Sequence, residues 1–175
     1  MATLAAVSAG KNVTHAQAYG PESRGGASKA EVIISDGEID CPCADRVDLL
    51  FALTQGAYER YVSQLKPGGM LVVDGETVRA GSAPGVVCHA LPILATARQV
   101  LGSTVGANMV ALGAVVGASA LVEPEAVERA VARRRPGGNV EPAVRAFRAG
   151  FSLIGASKSG TPEENGSHPG VRART

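Results

Sequence analysis

The sequence predicts an α/β fold: a Rossmann-like, doubly wound, mostly parallel sheet with flanking helices and a helical C-terminal half. Three observations carry that expectation. Apolar or β-branched runs of strand length occur at 30–35, 48–53, 70–73 and 86–91. A helical segment separates the runs 48–53 and 70–73, as a parallel crossover requires. From Pro92 onward the spacing of apolar residues is helical only. A length of 175 residues with 45% hydrophobic content suits one domain with a real core.

Taken in order, the Ala- and Leu-rich stretch 1–9 reads as a helix that Gly10 ends, and 12–17 alternates as a strand does. Glycines and a proline make 19–26 a loop, and 30–35 is a strand with Asp36-Gly37 as its turn. The apolar run 48–53 is a buried-type strand. Thr54 then caps a helix that presents Tyr58, Tyr61 and Leu65 on one face. Lys66-Pro67-Gly68-Gly69 is expected to stop that helix before the strand 70–73, and 86–91 follows as another strand. Helices are expected at 93–101, 106–120, 125–135 and 140–153. Asn139 caps the last, in which Val144, Phe147, Phe151 and Ile154 recur at helical spacing. Residues 156–175, rich in Ser, Gly, Pro and charge, are expected to form a disordered tail, which places the domain at 1–155.

Composition excludes several classes of partner. Aromatic residues make up 3% and tryptophan is absent, so a base-stacking face for nucleic acid is not expected. A formal net charge of +1 offers no attractive field for nucleic acid or an anionic membrane. Three cysteines, an odd number, and no charged-then-apolar leader point to a reducing, cytoplasmic location. The uncharged stretch 104–122 has the length of a membrane span and contains Gly113-x-x-x-Gly117, a spacing that lets two helices approach closely. It is dominated by Ala, Gly and Val, carries Asn108 and lacks an aromatic anchor, so a buried helix outside any membrane is expected.

The candidate sites each have two readings. The loop 19–26 sets Glu22 and Arg24 among Gly20, Gly25 and Gly26, a pattern that exposes backbone amides to an anionic ligand or a partner's surface. The same glycines serve equally to admit positive φ angles while Glu22 and Arg24 pair in solvent. Cys41-Pro42-Cys43 and Cys88-His89 carry metal-donor atoms. Their spacing lacks the two-residue separation of zinc knuckles, and Cys88 is expected to be inert on a buried strand. His15, near Tyr19 and Glu22 in sequence, is an acid/base candidate or a structural histidine, and His168 falls in the tail. Arg133-Arg134-Arg135 end a helix that Pro124-Glu125 begins, an arrangement the helix dipole alone explains, with a grip on ligand phosphates or an acidic partner as the other reading. No nucleophile elbow, Walker phosphate loop or dinucleotide fingerprint is present. Leu65-Lys66-Pro67-Gly68-Gly69 before Met70-Leu71-Val72-Val73-Asp74 is similar to a passage in S-adenosylmethionine-dependent methyltransferases. A stand-alone methyltransferase-like or nucleotide-binding protein is therefore the rival reading.

Several landmarks occur in order. They are Gly10-Lys11-Asn12-Val13-Thr14; Tyr19-Gly20-Pro21-Glu22-Ser23-Arg24-Gly25-Gly26; Val32-Ile33-Ile34-Ser35; Ile39-Asp40 with Pro42; and Asp48-Leu49-Leu50. Leu65-Lys66-Pro67-Gly68-Gly69 and Gly106-Ala107-Asn108-Met109-Val110-Ala111-Leu112-Gly113 complete the series. Together they resemble the γ subunit of 2-oxoacid:ferredoxin oxidoreductases, most closely the 2-oxoglutarate type. The resemblance implies a subunit without catalysis or metal of its own, in a complex that converts a 2-oxoacid and coenzyme A to acyl-CoA, carbon dioxide and reduced ferredoxin. It implies thiamine diphosphate, Mg2+ and [4Fe-4S] clusters in partner subunits, and α and β subunits as partners with δ as a further candidate. It also implies that Tyr19, Gly20, Pro21, Glu22, Arg24, Gly25, Gly26 and Asn108 face coenzyme A or a neighbouring subunit. Members of that family usually begin with a strand and a Gly-Gly-Gln-Gly turn that this sequence does not show, so an N-terminally truncated domain is expected.

Overall fold

The structure, a computed structural model, describes residues 6–7, 9–18, 29–41, 44–81, 84–133 and 139–158. Its strands form two sheets. Strands β1 (Asn12–Ala18) and β2 (Lys29–Ser35) pair antiparallel, from Asn12 opposite Ser35 to Ala18 opposite Lys29. Strands β3 (Val47–Ala52), β4 (Leu65–Asp74) and β5 (Val87–Leu91) form a parallel sheet in that order. The expected parallel character thus holds for β3 to β5. The first two strands form an arm of their own, because the connection between them is too short for the crossover that parallel pairing needs.

At the amino end, Gly10 closes the helical turn at Ala6 and Val7 as expected. Lys11 N–H bonds to Ala6 O (3.1 Å) and Gly10 N–H to Val7 O (3.0 Å), with Gly10 at φ 78°. This pair of bonds is the Schellman stop, and the left-handed φ suits glycine.

Helices cover both faces of the parallel sheet, which makes it doubly wound. On one face Leu71, Val73 and Ala52 are buried with Leu65 and Val78 under Ala57 and Tyr58 of α1 (Gln55–Tyr61). On the other, Val72 and Leu91 meet Ile93 and Ala97 of α2 (Ile93–Leu101), Val110 and Ala114 of α3 (Ala107–Ser119), and Ala146 and Ile154 of α5 (Glu141–Lys158). Helix α4 (Pro124–Arg133) adds Val127 and Val131 to a second cluster with Val116 and Phe147, over which Val13 and Ile34 of the arm are laid. Thr54 caps α1 (Ala57 N–H to Thr54 Oγ1, 3.3 Å) and Asn139 caps α5 (Glu141 N–H to Asn139 Oδ1, 3.1 Å), both as expected.

Five expectations are corrected. Helix α1 ends at Tyr61 in a 3-10 turn (Val62–Gln64), so Leu65 belongs to β4 and not to the helical face. Lys66 to Gly69 lie within β4, where the register against β3 shifts and Gly68 takes φ 76°. The glycine absorbs a bulge in place of stopping a helix. Cys88 is exposed, because β5 is an edge strand of the sheet. Phe151 is 38% exposed despite its helical spacing with Phe147 and Ile154. Helix α5 continues to Lys158, past the expected start of the tail, while 159–175 lie outside the described residues.

The closest helix contact is between α3 and α5. A β-carbon at Gly113 would overlap the carbonyl of Phe147, and one at Gly150 would overlap the carbonyl of Val110. At Gly117 it would lie 3.2 Å from the carbonyl oxygen of Phe151. The small-residue spacing noted in 104–122 therefore serves helix contact inside this fold. That stretch starts with a 3-10 turn at Thr104–Gly106 and bends 118° from α2; among the described residues no single helix is long and apolar enough to cross a membrane.

Helices α4 and α5 are tied by a bidentate pair, Arg148 Nε to Glu128 Oε1 (2.7 Å) and Arg148 Nη2 to Glu128 Oε2 (2.8 Å). Hydrogen bonding from Arg148 is the main cause that holds the Glu128 carboxyl below its usual range, against a smaller opposing effect of desolvation.

Two measurements test this architecture. In urea melts, Gly113→Ala and Gly150→Ala are each expected to cost about 3 kcal/mol by overpacking. Gly155→Ala, in the same helix with nothing within 4 Å of the new methyl, is expected to gain up to about 1 kcal/mol. The Glu128 pair stabilises the fold above the ordinary carboxylate range and loses its effect as pH falls through the lowered pKa. The gap in Tm between wild type and Arg148→Gln is therefore expected to be steady near neutral pH and to close in acid.

Candidate functional site

Ligands of α/β sheets gather where parallel strands end, which here is the carboxyl edge of β3 to β5. There Asp74, the last residue of the central strand, is fully buried. Its Oδ1 accepts from Leu94 N–H (2.9 Å) in the first turn of α2, and its Oδ2 accepts from Thr77 N–H (3.1 Å). Thr77 Oγ1 lies 2.9 Å from Oδ2 and 2.7 Å from the carbonyl oxygen of Leu53, and its one proton serves a single acceptor at a time. Asp74 thereby joins the ends of β3 and β4 to the start of α2. Its lone pairs face protein donors, so it acts as an internal cap.

The segment after Asp74 closes over α1. Arg79 N–H donates to Gln55 Oε1 (2.8 Å), Gly81 N–H to Tyr58 Oη (2.9 Å), and Arg98 pairs with Glu76 at 3.0 Å. These contacts were not foreseen from sequence. A Val-Val-Asp strand end before a short turn was the available signal for Asp74, and the partners 20 or more residues away had none.

An open cleft of about 780 Å³ lies between the end of α2, the start of α3 and the α4–α5 side of the bundle. Leu101, Val105, Met109, Val131 and Pro142 make it mainly apolar, with Ser103, Asn108 and Asn139 at polar points of its wall. Ser103 accepts from Val105 N–H (2.9 Å) and Asn139 caps α5, so both side chains serve the backbone. Asn108, the described member of the expected site, is exposed here in the first turn of α3. Tyr19, Gly20, Pro21, Glu22, Arg24, Gly25 and Gly26 lie outside the described residues.

Among the described residues the potential metal-donor groups lie apart. His15 is exposed on the arm, His89 is buried on β5, and Cys41 and Cys88 are exposed, with the Cys88 thiol pushed up by partial desolvation. Cys43 and His168 lie outside the described residues, as do Arg134 and Arg135 beyond the exposed Arg133. Among the described residues no three His, Cys, Asp or Glu side chains are grouped to hold a metal ion.

The family described as pyruvate ferredoxin/flavodoxin oxidoreductase matches residues 1–153, nearly the whole described fold. The chain belongs to that family. Within it, the chain is 41% identical over 144 residues to a protein of Methanothermobacter marburgensis named 2-oxoglutarate synthase subunit KorC, covering 79% of this chain and 77% of the relative. The solved γ subunit of a keto/oxoacid ferredoxin oxidoreductase from Geobacter sulfurreducens superposes with a TM-score of 0.76 at 44% identity, over 89% of this chain and 88% of that one. A 2-oxoglutarate:ferredoxin oxidoreductase from Magnetococcus marinus, solved with 2-oxoglutarate, coenzyme A and succinyl-CoA bound, gives 0.71 at 25% identity. That match spans 87% of this chain and 27% of the larger one. The relatives are thus subunits of 2-oxoacid:ferredoxin oxidoreductases, as the ordered landmarks implied. The methyltransferase-like reading gains no support, since its key segment 65–69 lies within strand β4 of this oxidoreductase subunit fold.

Removing the internal cap tests the structural role of Asp74. Asp74→Ala leaves the half-buried Leu94 N–H and the Thr77 N–H without their acceptor and is expected to cost about 2 kcal/mol in chemical denaturation. Asp74→Asn, which keeps one carbonyl acceptor, is expected to lose less.

Proposed function

We propose that this chain is the γ subunit of a 2-oxoglutarate-type 2-oxoacid:ferredoxin oxidoreductase, a subunit that completes and positions an active site built by its partners. In the proposed reaction the 2-oxoacid loses carbon dioxide, its acyl group passes to coenzyme A, and the two electrons released reduce ferredoxin. The observation that carries this reading is the match of the fold to a γ subunit over 89% of this chain and 88% of that one.

Thiamine diphosphate with Mg2+ and the [4Fe-4S] clusters are assigned to α and β partners, with δ where the complex contains it. The donor set supports that division. A [4Fe-4S] cluster takes four thiolates, whereas the chain has three cysteines, two of them exposed at Cys41 and Cys88. The chain is assigned to the cytoplasm with the rest of the complex.

The surface proposed to meet coenzyme A or a neighbouring subunit comprises the loop 19–26, with Tyr19, Glu22 and Arg24 among its glycines, and Asn108. A guanidinium there can grip phosphate or carboxylate through two hydrogen bonds. Reconstitution tests this reading. Adding the chain to the remaining subunits is expected to restore coenzyme A-dependent ferredoxin reduction, with 2-oxoglutarate preferred over pyruvate. Full activity without the chain would remove the proposal. Arg24→Ala is expected to raise either the KM for coenzyme A or the subunit concentration needed for half-maximal reconstitution by about tenfold, the worth of one charge-assisted contact.

A further inference from the structure

We infer that Lys29 is a positioning residue, a clamp that holds the tip of the β1–β2 arm against the parallel-sheet half of the protein. It is the first residue of β2 and pairs with Ala18, the last of β1, so it is the final strand position before the connection 19–28. Its side chain is 23% exposed and its ammonium has three partners. It donates to Gln64 Oε1 (3.1 Å), pairs with the Glu31 carboxylate on the same face of β2, and sits 5.2 Å from the centroid of the Tyr61 ring. The Arg60 guanidinium lies 5.8 Å from that same ring. Gln64 and Tyr61 belong to the end of α1 and the turn that leads into β4, so these contacts cross from one sheet to the support of the other.

The other end of the arm is held differently. Lys11 pairs with Asp36 (2.7 Å), Asn12 Nδ2 donates to Gly37 O (2.9 Å), and Val13 and Ile34 lie on the buried cluster of α3, α4 and α5. A seven-residue arm is about 20 Å long, so an anchor at its base alone leaves the tip free to pivot. Withdrawing an ammonium from water is tolerable only when charge and hydrogen-bond partners replace it. Glu31, Gln64 and the face of Tyr61 do so here, and only with the tip in one place. The clamp therefore fixes where Ala18 and Lys29, the ends from which the connection carrying Arg24 departs, are held, and this inference rests on the proposed role of that connection.

The test uses the reconstituted complex and the quantity that Arg24→Ala moves, whether KM for coenzyme A or half-saturating subunit concentration. Lys29→Met and Tyr61→Ala are expected to raise the same quantity by about tenfold, with kcat at saturation within about twofold of wild type. Lys29→Arg keeps the cation, Tyr61→Phe keeps the ring face, and both are expected to restore it. Tm and far-UV circular dichroism identify any variant that misfolds, in which case Gln64→Ala takes its place. If Arg24→Ala weakens function while folded Lys29→Met and Tyr61→Ala do not, the clamp is refuted. An equal fall in kcat across the clamp variants, without rescue by Arg or Phe, refutes it too. If Arg24→Ala has no effect, it is the proposed role of the connection 19–28 that fails, and the clamp then falls unless Lys29→Met alone shifts one of the two quantities.

Discussion

The contact of α3 with α5 at Gly113 and Gly150 is the constraint on which the rest of the structure depends. Each glycine faces a backbone carbonyl of the other helix, Phe147 for one and Val110 for the other, so the helices meet backbone to backbone. That approach puts Val110, Ala114, Ala146 and Ile154 into one cluster with Val72 and Leu91 of the sheet. It also turns Phe147 and Val116 toward α4 and the arm. A methyl group at either glycine forces the helices apart and opens both clusters, because close-packed interiors do not absorb an extra carbon without displacement.

Asp74 does for the sheet what the two glycines do for the bundle. The end of the central strand, the turn after it and the start of α2 share one buried carboxylate. In many α/β proteins such a strand end meets a ligand. Here Asp74 accepts from backbone donors of its own fold, and the segment after it bonds through Arg79 N–H and Gly81 N–H to the side chains of Gln55 and Tyr58.

Much of the fold was legible from local chemistry. The helix 93–101 has the bounds expected of it, Thr54 and Asn139 cap the helices they were expected to cap, and Gly10 stops the first turn. Where the reading failed, a distant partner outweighed a local signal. Lys66-Pro67-Gly68-Gly69 looks like a helix stop, yet pairing of Leu65 with Val47 draws the segment into β4 and Gly68 takes up the register shift. Cys88 sits in an apolar run that suggests burial, but an edge position on the sheet leaves it exposed. Of the expected site, the ordered landmarks located the family and Asn108 came to lie on a cleft, whereas the pinning of the arm by Lys29 had no trace in sequence spacing.

The sequence by itself determined the class of fold, the starts and stops of most elements, and membership of an oxidoreductase family. The first two follow from residue type and short-range period, which act within a few positions along the chain; the third rests on the resemblance of its ordered landmarks to that family. Tertiary structure alone decided that the first two strands form an antiparallel arm and that a Gly-x-x-x-Gly spacing serves a helix pair within the fold. It alone showed that Asp74 accepts from backbone donors of its own fold and that Lys29 reaches Gln64 across 35 residues. Such facts depend on which elements meet and in what register. That outcome is set by the balance of burial and hydrogen bonding over the whole domain, and no local pattern encodes it.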